Sequence, residues 1–200
     1  MATASASFSP LLKDQLFNAD TLRLLSDPLA QQMPGFDRAR FTRQVLSGFP
    51  ERELMARVHW VREQLYKALP SDYREAVTLI LHALPEPCDP RLSDDDFGHF
   101  IYAVYGDFVA NYGCNAHDLD FSLQALKAIT TRFSAEFAVR PFLLNFPEQT
   151  LQQLRAWAQD THYHVRRWVS EGTRPRLPWG KAVHLSWEQC FPLLDALHTD

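Results

Sequence analysis

Apolar residues recur along this chain at the three- and four-residue spacing of helices buried on one face. In FDRARFTRQVLS (36–47), Phe36, Phe41, Val45 and Leu46 share a stripe, and Gly48 follows as a stop. In ERELMARVHWVREQLYKAL (51–69) the stripe is Leu54, Met55, Val58, Val61, Leu65 and Leu69, closed by Pro70. Ser71 or Asp72 can cap the next helix, which runs through Leu84. PEPCDPRLSDDD (85–96) cannot continue a helix and reads as an acidic, proline-rich loop, with Asp94 to Asp96 solvated. Further helices are predicted over 98–111, 118–132, 135–144, 148–159, 162–171 and 187–198. Alternating β-branched stretches are absent. The pattern predicts an all-α chain of short, paired helices.

The pairs repeat. EQTLQQLRAWAQD (148–160) and EQCFPLLDALHTD (188–200) lie 40 residues apart and agree at five of thirteen positions, among them Leu154/Leu194, Ala156/Ala196 and Asp160/Asp200. A period of about 40 residues is that of HEAT and armadillo arrays, which stack helix pairs. The expected fold is therefore a HEAT/armadillo-like α-solenoid, a curved array of antiparallel helix pairs forming a single domain over 1–200. After Asp160 the chain continues with THYHVRRWVSEG, the second helix of the repeat, whereas nothing equivalent follows Asp200. The array is thus expected to end mid-repeat, with Phe191, Leu193, Leu194 and Leu197 on a helix lacking its partner.

Composition narrows the class. An apolar content of 46% in 200 residues suits one substantial core or a short repeat array. No run of about 18 apolar residues predicts a membrane span, and MATASASFSP lacks the features of a secretory signal. Cys88, Cys114 and Cys190 are scattered without a CxxC, which suggests a reducing, cytoplasmic setting and argues against structural zinc. His162, His164 and His184 form no ligand set either, because an HxH pair on a helix points its rings to different faces.

Charge is where function begins to show. The net −4 hides a segment, 132–181, with eight Lys/Arg against four Asp/Glu, and Trp157, Trp168 and Trp179 lie inside it. Cations beside aromatic rings suit a polyanion with stackable bases. Glu136 and Glu171 sit in the same basic stretch, where an acid opposes phosphate binding and invites a chemical role. Glu171 precedes Gly172 at a helix end, where a negative charge opposes the dipole unless it pairs with Arg167 or faces a ligand. Glu136 can equally pair with Arg140 at i,i+4. Arg166 and Arg167 point about 100° apart, so one is expected on DNA and the other on the next repeat. Trp157 and Trp168 read as core.

TRFSAEFAVRPFL (131–143), HVRRWVSEGTRPRLPWG (164–180) and, more weakly, GDFVANYG (106–113) resemble the HEAT-like-repeat DNA alkylation-repair glycosylases, in the AlkC branch related to AlkD. The likeness runs from about residue 10 to the end. It implies a cradle for double-stranded DNA with alkylated bases, and base excision by hydrolysis of the N-glycosidic bond of cationic lesions such as 3-methyladenine and 3-methylcytosine. It implies no base flipping, no metal, no cofactor and a monomer. The resemblance places the cleft at Glu136, Arg167, Glu171 and Trp179. Glu136 and Glu171 are the expected catalytic acids, and Arg167, Arg174, Arg176, Trp179 and Lys181 the DNA-binding set. The family's aspartate from the following repeat and its immunoglobulin-like domain have no counterpart in these 200 residues, so weak or absent turnover is expected of this form. A non-catalytic DNA-binding protein and a protein-binding scaffold are the alternatives.

Overall fold

The computed structural model describes residues 11–90 and 98–198. Eleven α-helices are described: α1 (Leu12–Leu16), α2 (Ala19–Gln32), α3 (Arg38–Ser47), α4 (Leu54–Ala68), α5 (Tyr73–His82), α6 (Ala103–Tyr112), α7 (Leu119–Thr130), α8 (Arg140–Asn145), α9 (Pro147–Trp157), α10 (Tyr163–Gly172) and α11 (Trp187–Asp195). Short 3₁₀ turns, Phe100–Tyr102 and Glu136–Val139, lead into α6 and α8. Among the described residues there is no strand, only a single antiparallel bridge between Gly98 and Phe133. The all-α expectation holds.

The helices form two layers. α3, α4, α6, the Glu136–Val139 turn with α8, and α10 lie side by side, and α5, α7, α9 and α11 back them. α2 packs on α3, α5 and the Phe100–Tyr102 turn, and so closes the first end. Core residues come from the predicted stripe of α4, Val58, Val61 and Leu65, and from the helices predicted after it, Val77 and Ile80 of α5 and Leu151 and Leu154 of α9. Trp157 and Trp168 are buried against each other edge-on, with centroids 6.0 Å apart, as expected of core residues.

Local chemistry explains the shifted boundaries. The helix predicted from 98 begins at Ala103, because Gly98 is held at φ +76 in the bridge to Phe133. A Cβ there would lie 1.9 Å from the Arg132 carbonyl, so only glycine fits. The helix predicted over 135–144 divides into a 3₁₀ turn and α8, with Pro141 in the first turn of α8 where its missing N–H costs nothing. Asp37 and Asp72 cap α3 and α5 by accepting from Arg40 N and Glu75 N. The hydrophobic pattern missed α1 and α2. Asn18 caps α2 with a capping box, and α2 carries Pro28 inside it. Asp94 to Asp96 and Asp200 lie outside the described residues.

Of the four α11 residues expected to lack a partner, Leu193 is fully buried and Leu197 packs against the core, whereas Phe191 and Leu194 stay exposed on one stripe with Trp187.

Candidate active-site cleft

The 3₁₀ turn after Phe133 and the outward face of α10 meet in a cleft of about 290 Å³. Val165, Trp168 and Val169 face the core, which leaves Arg167, Glu171 and, just beyond the helix, Arg174 to line the opening. Glu136 enters from the facing turn, and Phe100, Leu177 and Trp179 supply an apolar wall. A second hollow of about 310 Å³ adjoins it, sharing Glu136, Arg167, Phe100 and Trp179 and adding Leu12, Leu16 and Leu54. Helices from both ends of the chain therefore build one opening.

The two acids are each held by their own arginine. Glu136 Oε1 accepts from Arg167 Nε at 2.7 Å and from the Ser134 hydroxyl at 2.7 Å. Oε2 takes no part in either bond. Glu136 is 14% exposed and Arg167 26%, so this pair is partly desolvated yet open to the cleft. Glu171 Oε2 accepts from Arg174 Nη1 at 2.6 Å, three residues on. The Glu171 carboxylate beside it pushes the exposed Arg174 guanidinium upward. The Glu136–Arg140 and Glu171–Arg167 pairings left open by the sequence are both replaced, because Arg140 is drawn elsewhere.

Arg140 is fully buried and makes no ion pair with Glu136. It donates to the carbonyls of Gly172 (3.0 Å), Arg174 (2.7 Å), Pro175 (3.1 Å) and Lys181. Burial pushes its pKa down. One side chain thus pins the whole 172–181 loop that carries Arg174 and Trp179. Gly180 packs so tightly on it that a Cβ would lie 2.8 Å from Arg140 Cδ.

Trp179 is 62% exposed and has φ +64, a left-handed conformation uncommon for a bulky residue. Its ring stands edge-on to Phe100 at 6.0 Å, and Phe100 meets Phe133 at 5.2 Å and Phe17 at 5.9 Å. An exposed indole held in a strained conformation at a cleft is a feature of functional sites.

Much of the basic segment serves the fold. Arg132 donates to the carbonyls of Pro85 and Ala128, and Arg166 to those of Asp160 and Thr161. Of the expected DNA-binding set, Arg167, Arg174 and Trp179 line the cleft, whereas Arg176 and Lys181 are exposed beside it. The Lys181 charge instead reaches Cys114, whose thiol burial pushes up on balance. His162 caps α10 through Nδ1, bonds the Cys88 carbonyl through Nε2, and is held below its usual pKa by burial. His164 Nδ1 meets the Thr130 carbonyl at 3.0 Å. No cluster of three or more metal-type side chains occurs among the described residues, and no helix there is long and apolar enough to cross a membrane.

Sequence reasoning missed Ser134, Phe100 and the α1 leucines. Ser134 stands two residues before Glu136, close enough for its hydroxyl to be read as a carboxylate partner. Phe100 and Leu12 carry no local signal, since only packing brings them to the cleft.

Stacked helix pairs with an acid–arginine cleft on one face define a HEAT-like helical-repeat protein. No family model matches the chain. It is 35% identical over 184 residues to the uncharacterized protein YhaZ of Bacillus subtilis (strain 168), a match covering 92% of this chain and 48% of that protein. Among solved structures it is similar to Pseudomonas fluorescens alkylpurine DNA glycosylase AlkC bound to DNA containing an abasic site analog. That likeness has a TM-score of 0.80 and 36% identity, and covers 96% of this chain and 51% of that one. The chain spans about half the length of the relatives it matches. Over that half it is of the AlkC type.

Proposed function

We propose that the protein is a DNA alkylation-repair glycosylase that releases cationic alkylated bases, of the 3-methyladenine and 3-methylcytosine type, from double-stranded DNA without flipping them. The observation that carries the reading is the Glu136 carboxylate, fastened at Oε1 by Ser134 and Arg167 inside a cleft walled by Trp179 and Phe100. Likeness to an alkylpurine DNA glycosylase supports the same chemistry.

An alkylated purine that carries positive charge leaves as a neutral base, so the C1′–N bond can break without a general acid. The bonding electrons go to the base and charge develops on the sugar. Glu136, fixed before the reaction, stabilises the oxocarbenium-like sugar and accepts the proton of the water that attacks C1′. Trp179 offers a π-face to the cationic lesion, worth about 0.5–2 kcal/mol as the site dries. That attraction is lost for a neutral base and so favours the lesion. Glu171 is a second carboxylate for the same chemistry, while Arg174 and Arg167 in the cleft, with neighbouring Arg176 and Lys181, would hold the flanking phosphates.

The test is release of 3-methyladenine from methylated duplex DNA by the parent, Glu136→Gln and Glu171→Gln. A loss of at least about a hundredfold in Glu136→Gln, equivalent to ~2.7 kcal/mol of barrier, is expected. Equal release by parent and variant would remove Glu136 from the chemistry. A second reading, DNA binding without turnover, draws on the cation already bound to each acid. Salt-sensitive DNA binding with no release by the parent would select it.

A further inference from the structure

The segment that carries Glu136 is gripped from both sides. Ala135, Ala138 and Val139 are fully buried, and they meet α6 at Gly106 and α10 at Gly172. A Cβ on Gly106 would lie 3.3 Å from Ala135 Cβ, and one on Gly172 would lie 2.8 Å from Val139 Cγ1. The backbone beneath Glu136 therefore has little room to shift. What it leaves open is the side chain, above all the last torsion, which turns the carboxylate plane. A torsion of this kind is broad and two-fold, so a carboxylate held by one donor readily exchanges its oxygens. Ser134, buried on the same gripped segment, donates its hydroxyl to Oε1 at 2.7 Å, and Arg167 Nε reaches the same oxygen from α10 at 2.7 Å. Each carboxylate oxygen has two lone-pair sites. Oε1 is thus filled by two donors arriving from different elements, and both sites of Oε2 are left for the cleft.

We propose that Ser134 is a positioning residue that gives the two oxygens of Glu136 separate tasks, Oε1 as the anchor and Oε2 as the reacting oxygen. What Oε2 does rests on the glycosylase reading; how it is aimed does not. In that reaction the water oxygen bonds to C1′, its proton passes to Oε2, and the C1′–N electrons leave with the base. One site of Oε2 takes the proton while the other faces the positive charge on the sugar. Arg167 alone cannot hold this aim, because a single bond leaves the carboxylate plane free to turn. Glu171 shows the contrast: its described partner is one exposed arginine three residues on, with no hydroxyl to fix its plane. Ser134 therefore singles out Glu136 as the acid whose reacting oxygen is set before substrate arrives. Losing that aim slows the chemical step and leaves DNA binding alone, because Ser134 acts through Glu136 and touches no phosphate.

Two measurements test this on the intact chain. The first follows single-turnover release of 3-methyladenine against DNA concentration for the parent, Ser134→Ala and Ser134→Thr. Ser134→Ala should lower the maximal rate by about tenfold or more, with the half-saturating DNA concentration changed by no more than about twofold. Ser134→Thr keeps a hydroxyl on the same carbon and should recover most of the rate. The second compares crystal structures of the parent and Ser134→Ala for the orientation of the Glu136 carboxylate. One orientation in the parent, and a turned or divided one in the variant, is expected. A parental rate in Ser134→Ala would overturn the proposal. So would a slower rate with the carboxylate unmoved, or a loss confined to DNA affinity, since either makes the hydroxyl a structural group only. A carboxylate that turns in the variant, in a protein whose parent releases no base, would sink the glycosylase reading and leave the hold of Ser134 on Glu136 standing.

Discussion

Two carboxylate–arginine clusters occupy the same layer of helices, and they are built differently. Between α4 and α6, one arginine serves two acids: Arg62 donates to Asp107 at 2.9 Å and to Glu63 at 2.7 Å, and the Tyr112 hydroxyl adds a bond to Glu63 at 3.1 Å. Arg62 and Asp107 are 14% and 12% exposed, and the stacked rings of Tyr66 and Tyr112, 4.3 Å apart, lie alongside. In the cleft each acid has its own arginine and both face open space. Sharing a cation deep between two helices braces them together. Dividing the cations leaves each carboxylate with an oxygen outside its arginine bond and a cavity in front of it. The first arrangement suits structure and the second suits chemistry.

The largest effect is expected where the cleft depends on a buried side chain. Arg140→Met removes the donor that binds four loop carbonyls, and should cost about 3–5 kcal/mol in chemical denaturation. The same change would disorder the 172–181 loop and abolish base release. An unchanged midpoint would mean that the loop is held by other contacts.

Removing the cation from each cluster sharpens the contrast. Arg62→Leu strands Asp107 and Glu63 and should cost about 2–4 kcal/mol. Arg167→Leu should cost less, about 1–2 kcal/mol, because Arg167 is more exposed than Arg62 and Ser134 still donates to Glu136. Equal losses would erase the distinction between brace and site.

The clusters also differ in how acid reaches them. Burial pushes Asp107 up despite Arg62, so its contribution is complete below the ordinary aspartate range and fades as pH rises through its folded pKa. The Arg62 bond holds Glu63 down, so its contribution is complete above the ordinary glutamate range and fades as pH falls. Burial pushes Asp118 and Asp160 upward, but Arg74 with Asn115, and Lys127 with the His162 backbone, outweigh it and hold both low. His162, held low by burial, likewise loses its contribution as pH falls below about 6.5. Stability should therefore decline from about pH 6.5 toward pH 3, with Asp107 opposing the trend. Asp107→Asn should make the decline steeper, by at most ~1.4 kcal/mol per pH unit. A shallower slope would place Asp107 among the acids held low.

The smallest change concerns strain. Trp179→Gly removes a bulky residue from left-handed backbone and should raise stability by about 1 kcal/mol or less while lowering base release. Unchanged release would leave Trp179 as a surface ring alone.

The hydrophobic period by itself determined the all-α class and most helices from 36 onward, because amphipathic stripes, caps and prolines act within one turn of chain. The 40-residue echo between α9 and α11 led to a HEAT-like array, and Trp157 and Trp168 could be assigned to the core from their place in helices. The short motifs around Glu136 and Glu171 marked both acids. Only the tertiary structure decided what each arginine does. Arg132, Arg140, Arg166, Arg167 and Arg174 look alike in sequence, yet their partners include carbonyls and carboxylates brought near by packing, up to 47 residues away. Likewise Phe100, Leu12 and Ser134 became parts of one cleft, because α1, the turn before α6 and the turn before α8 converge there. A helix stripe is a local property of the chain, whereas a cleft is a property of distances between segments, and those are set when the layers close on their core.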